Sequence, residues 1–201
     1  MTQTKQIPTF FHEYKGCAIP ELDTASYRLV VEGKVEKRLE ISLSELEHMG
    51  SASEIERRFY CVNGWSLSAR WFGVEVRHLL EFVRPSPEAQ FLRATSIGAY
   101  EDTSSIRELV DGRAMLVTRM NGEPLSPERG KPVRLMLFDR YQFRGVKSLA
   151  KIEIVSDYRP GMWVKYGYTD ASIQPFPHLA IESGKCLMPD PEVLKPEEPP
   201  S

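Results

Sequence analysis

The chain has 201 residues, 41% of them hydrophobic and 27% charged, which is enough apolar material for one core without staples and excludes a disordered chain. Twenty-six Lys and Arg against 28 Asp and Glu leave a formal charge of −2, so no general electrostatic pull toward nucleic acid or anionic lipid is expected. Three cysteines, Cys17, Cys61 and Cys186, are too few and too far apart for a disulfide framework or a closely spaced zinc site.

The first sixteen residues carry no apolar stretch and no twin arginine, and no segment approaches the ~20 apolar residues of a membrane span. Together these predict a cytoplasmic chain. Tyr27, Leu29 and Val31 alternate with polar residues, a strand that turns at Gly33-Lys34. Ser42-Leu-Ser-Glu45 reads as a capping box opening a short helix. Ile55, Arg57, Phe59 and Cys61 share one face of a second strand, which reaches the turn pair Asn63-Gly64. Val76, Leu79, Leu80 and Val83 have helical spacing, and Pro85 and Pro87 stop that helix. Strands are predicted over 91–96, 114–120, 133–138 and 146–155, and a short helix over 103–110. The strand at 114–120 ends at Asn121-Gly122. Strands outnumber helices without regular alternation, which predicts a β-rich α+β fold and not a doubly wound sheet. Residues 1–187 read as one domain. Residues 188–201, with five prolines among acidic residues, read as an extended tail.

Cys61 stands where a strand gives way to a turn, so its sulfur can point into a cleft lined by that turn. Three readings are open. It can be a buried small hydrophobe, since free cysteine is among the most buried residue types. It can be a nucleophile, which needs a nearby base, although His12, His48, His78 and His178 are scattered. It can be a metal thiolate, and a lone thiolate suits a metal that brings its remaining ligands inside an organic cofactor.

Phe59-Tyr-Cys-Val-Asn-Gly-Trp-Ser66, followed by Trp71-Phe-Gly-Val74, resembles the molybdenum-cysteine segment of the sulfite oxidase superfamily of molybdopterin-dependent oxidoreductases. Asn121-Gly-Glu-Pro-Leu125 with Gly130-Lys-Pro-Val-Arg-Leu135 resembles that family's downstream signature. Tyr141-Gln-Phe-Arg-Gly-Val-Lys-Ser148 resembles its pterin-phosphate loop. The resemblance implies a single-pterin molybdenum-molybdopterin cofactor with Cys61 as the protein's metal ligand. It further implies pterin contacts from Arg134, Gly145, the Val146 backbone and Lys147, with Ser96 and His12 as further contacts. A phosphate dianion suits that set, because arginine offers a planar fork, lysine a point charge, and glycine close approach to backbone N–H groups. Asn63, Trp65 and Tyr100 would shape the substrate mouth.

Three positions depart from the family. Arg129 stands where His or Asn usually contacts the pterin. Trp65 and Ser66 stand where sulfite-oxidising members place arginine, which argues against sulfite as substrate. Asn63 replaces an acidic residue offered by the bacterial protein-methionine-sulfoxide reductase branch, the branch that the sequence otherwise resembles most. The resemblance implies two-electron oxygen-atom transfer, as reduction of an S-oxide or N-oxide, with a separate redox partner protein supplying electrons. The alternatives are oxidation of sulfite or a related sulfur compound, and a non-catalytic molybdopterin-binding or interaction domain. The length leaves no room for the family's immunoglobulin-like dimerisation domain, and a monomer is expected.

Overall fold

A computed structural model describes residues 23–61, 66–98, 100–165, 168 and 170. The described strands form two sheets. The first has the order β2-β1-β10-β5-β6, built from β1 (Arg28–Gly33), β2 (Leu39–Ser42), β5 (Phe91–Ser96), β6 (Glu101–Ser105) and β10 (Leu149–Val155). The second runs β3-β4-β7-β8, from β3 (Ala52–Tyr60), β4 (Ser66–Glu75), β7 (Met115–Met120) and β8 (Glu123–Pro124), with β9 (Arg134–Met136) also paired to β7. Pairing is antiparallel except for β1 with β10. The helices are α1 (Leu43–Glu47), α2 (Val76–Val83), α3 (Ile106–Asp111) and α4 (Met162–Lys165). This is the β-rich α+β arrangement expected.

Local sequence chemistry sets several of these elements. Ser42 accepts from the Glu45 N–H while the Glu45 side chain reaches back to the Ser42 N–H, so α1 opens on the anticipated capping box. The apolar residues of α2 are all buried, and Arg84 closes that helix in the left-handed region. Asn121 and Gly122 have φ values of 54° and 87°, the pair of positive angles that a tight hairpin between β7 and β8 demands.

Alternation along β7 and β9 divides the interior into two layers. Leu116 and Leu135 point into a large core between the sheets, with Leu29, Val31, Leu79, Leu92 and Ile152. Met115, Val117 and Met136 point the other way, into a smaller aromatic and methionine cluster with Phe59, Trp71 and Phe138. The second sheet is thus buried on both faces around β7, and the smaller cluster backs the end of β3 that leads to Cys61.

Sequence and structure differ in four places. Residues 101–105 are strand β6, and helix α3 begins only at Ile106; the polar run Asp102-Thr-Ser104 is buried, and a partner described below meets Asp102, the Thr103 carbonyl and Ser104. Strands β2, β4 and the two-residue β8 lie where no strand was expected, and β4 is the ten-residue centre of the second sheet. The 133–138 strand shortens to Arg134–Met136. The 146–155 strand begins at Leu149, which leaves 142–148 as a loop.

Candidate functional site

Strand β3 carries the chain to Cys61, a half-buried cysteine one residue past the strand's end. Nine register pairs hold β3 to β4. Trp71 Nε1 donates to the Arg57 carbonyl at 3.0 Å, and the Phe59 and Trp71 rings meet edge to face at 6.0 Å. Those contacts make the approach to Cys61 stiff.

Three further segments arrive at the same place. Gln142 N–H donates to the Tyr60 carbonyl at 3.2 Å, which ties the start of the 142–148 loop to the residue before Cys61. On β9 the Arg134 guanidinium lies 5.8 Å from the Phe59 ring centroid and donates to the Arg129 carbonyl at 3.5 Å. The turn over 127–130 is joined to the loop by Ser148 N–H donating to the Gly130 carbonyl at 3.1 Å, and by Lys147 Nζ donating to the Glu128 carbonyl at 2.7 Å. Two glycines permit this closeness. A Cβ on Gly130, whose φ is +100°, would lie 2.9 Å from Lys147 Cβ; one on Gly145 would lie 2.8 Å from the Leu135 carbonyl oxygen.

The electrostatics of this corner are one-sided. Burial first, and then the Arg134 charge, push the Lys147 ammonium down to about 7; Cys61 and Glu128 pull in the opposite direction, and Arg129 adds the smallest push downward. Burial also lowers Arg129. Three cations therefore converge beside one thiol. The Ser148 hydroxyl in the same loop is fully buried and has no hydrogen-bond partner among the described residues. A crowded set of cations, an unsatisfied buried hydroxyl and a glycine-walled approach fit a phosphate-bearing group, and the adjacent thiol fits its metal. The residues present therefore suit molybdenum-molybdopterin: Cys61 toward the metal, and Arg134, Gly145 and Lys147 toward the phosphate. The Val146 side chain is in the large core and its carbonyl accepts from Leu135 N–H at 2.9 Å, which leaves only its N–H to face a ligand.

Not every expected residue reaches this corner. Arg129 is beside it, with Nη1 2.8 Å from Met120 Sδ. Ser96 is buried next to the loop, where Ile97 N–H donates to the Ser148 carbonyl, but its Oγ accepts from Tyr100 N–H at 2.9 Å and so ties Ser96 to Tyr100. Tyr100 does not shape a mouth: it is fully buried and its hydroxyl donates to the Phe143 carbonyl. His12, Asn63 and Trp65 lie outside the described residues. Ser148 was not singled out from the sequence, although its place directly after Lys147 in the loop motif was the available signal. A surface cleft of about 330 Å³ that includes Phe72 contains none of these residues, and its Arg119 is already paired with Glu47 at 2.7 Å.

Comparison with known proteins agrees with this geometry. The profile of the oxidoreductase molybdopterin binding domain family matches residues 16–163. The chain is 27% identical over 161 residues to the protein-methionine-sulfoxide reductase catalytic subunit MsrP of Campylobacter jejuni, covering 72% of this chain and 54% of that protein. It is 28% identical over 161 residues to MsrP of Xanthomonas campestris, covering 73% and 50%. It thus spans about half the length of the curated relatives it matches. Among solved structures, the sulfane dehydrogenase SoxCD of Paracoccus pantotrophus superposes with a TM-score of 0.63 at 22% identity, covering 68% of this chain and 40% of that one. That likeness establishes the fold.

Proposed function

The chain belongs to the oxidoreductase molybdopterin binding domain family, and on that premise we propose that it catalyses two-electron oxygen-atom transfer, reducing an S-oxide substrate to the sulfide. Overall, a sulfoxide, two protons and two electrons give a thioether and water, the electrons coming from a separate redox protein. Bound molybdenum-molybdopterin supplies a two-electron metal centre that exchanges an oxygen atom with the substrate.

The observation that carries the reading is the convergence of Arg129, Arg134 and Lys147, from three segments, beside Cys61 and around a glycine-walled loop. Such a corner is costly for the empty protein, because burial and then the Arg134 charge disfavour the Lys147 ammonium, and an entering anion offsets that cost. Lys147 regains its proton as the dianion binds. Cys61 is held by a β-strand that its own ring contacts stiffen, so the thiolate is presented at a fixed point. The names of the MsrP relatives support an S-oxide as the substrate class.

The test is metal analysis and a substrate panel on protein purified from cells that make the cofactor. Stoichiometric molybdenum is expected in the wild type and its loss in Cys61→Ser. With an artificial electron donor, free and peptide-bound methionine sulfoxide should be reduced. Wild-type protein without molybdenum, or sulfite oxidation without any sulfoxide reduction, would overturn the proposal.

A further inference from the structure

The loop that carries the half-buried Lys147 also carries Arg144, a buried cation with a different set of partners. Its Nε donates to Asp102 Oδ2 at 2.7 Å and its Nη2 to the Thr103 carbonyl at 2.6 Å, with Ser104 Oγ at 3.4 Å. Its Nη1 donates to Asp170, to the carboxylate at 2.9 Å and to the carbonyl. Asp102 and Arg144 are each 3% exposed. The neighbouring residue is gripped from both sides: the Tyr100 hydroxyl donates to the Phe143 carbonyl, and the Phe143 ring lies 5.0 Å from that of Tyr168. Gly161 closes over the ion pair so tightly that a Cβ there would lie 2.0 Å from Asp102 Oδ1.

We propose that Arg144 is a positioning residue for the cofactor: its guanidinium, locked between strand β6 and Asp170, fixes the backbone that presents Gly145 and Lys147 to the phosphate. This rests on the reading of the 142–148 loop as the phosphate site. Net stability alone is a poor explanation for the pair, because apolar residues of similar volume commonly serve a core as well as a buried ion pair does. What a planar fork provides is direction. Donors fixed in one plane, satisfied by acceptors from two distant segments, leave the loop a single orientation. Arg144 acts through the backbone of the next three residues and not by touching the cofactor itself.

The test compares wild-type protein with the paired variant Asp102→Asn/Arg144→Gln, which removes both charges together, and with Arg144→Lys, which keeps the charge beside Asp102 but loses the fork. Three quantities are read: molybdenum and pterin retained after prolonged dialysis of the holoprotein, amide hydrogen exchange of the cofactor-free protein, and its melting temperature. In the paired variant, melting should stay within about 5 °C of wild type. Exchange should accelerate at 145–148 while β1 and β10 stay protected, and retained cofactor should fall on the order of tenfold. Arg144→Lys should change the loop's exchange and cofactor retention in the same direction by less. Unchanged retention, or exchange that rises equally through both sheets, would overturn the role for Arg144. If the paired variant does not fold, Arg144→Lys decides by the same two readouts. A wild type that binds no molybdopterin refutes the underlying reading instead, and the exchange comparison still reports whether Arg144 orders the loop.

Discussion

Arg144 and Lys147 are three residues apart in one loop, and both are cations removed from much of the solvent, yet their surroundings are opposite. Arg144 faces the carboxylates of Asp102 and Asp170, and the charge of Asp102 raises its affinity for its proton against the cost of burial. For Lys147 burial and then the Arg134 charge outweigh the pull of Cys61 and Glu128, and its affinity for its proton falls. A buried charge supplied with a matching carboxylate belongs to the architecture. One that burial and a neighbouring guanidinium both disfavour is a candidate for the place where an anionic ligand completes the balance.

That contrast breaks most visibly at Arg144. Arg144→Met strands the Asp102 carboxyl, which burial already pushes up to about 7, and should cost about 3–5 kcal/mol of unfolding free energy by chemical denaturation. Adding Asp102→Asn should recover most of the loss. If the single variant unfolds like wild type, the pair is not the lock described.

Lys147→Met should behave in the reverse manner. The cofactor-free protein should keep or slightly gain stability, while cofactor retention falls roughly 10–100-fold, the equivalent of one charge-assisted bond to an anion. The pH dependence follows with a definite sign. The folded-state value for Lys147, about 7, lies below its ordinary 10.5, so between these limits the unfolded chain binds more protons and stability rises with pH. The contribution is present above the unfolded value and is lost as pH falls through about 7. Denaturation of the cofactor-free protein between pH 7 and 10 should show this slope in wild type, and Lys147→Met should flatten it.

How much of this was legible in the sequence depended on how far apart the partners lie. The capping box at Ser42 and Glu45, the α2 stripe and the Asn121-Gly122 turn are complete within a few residues, and each appears as read. Strand β4 was not legible, because as the central strand of its sheet it buries Trp71 on one face and Val74 on the other, which blurs the alternation of a half-buried strand. Strand β6 was misread for a related reason. Its Asp-Thr-Ser run is polar, and only the guanidinium 42 residues later explains why it is buried. In the site, Cys61, Arg134, Gly145 and Lys147 were legible through motif blocks and meet in one corner. Arg144 was visible inside its motif, but its role depends on a carboxylate that no local pattern points to.

The smallest predicted effect isolates the neutral part of the same lock. Tyr100 is fully buried, and its hydroxyl donates to the Phe143 carbonyl, one residue before Arg144. Tyr100→Phe keeps the ring and its packing but leaves that carbonyl without its phenolic donor, which should cost about 1–2 kcal/mol. A neutral bond is roughly half as strong as one assisted by charge. The variant should therefore loosen 142–148 less than Arg144→Lys does, with cofactor retention reduced by less than tenfold. Hydrogen exchange ranks the two directly. If Tyr100→Phe frees the loop more than Arg144→Lys, the aromatic side of the lock is the dominant one, and the guanidinium fork is secondary to it.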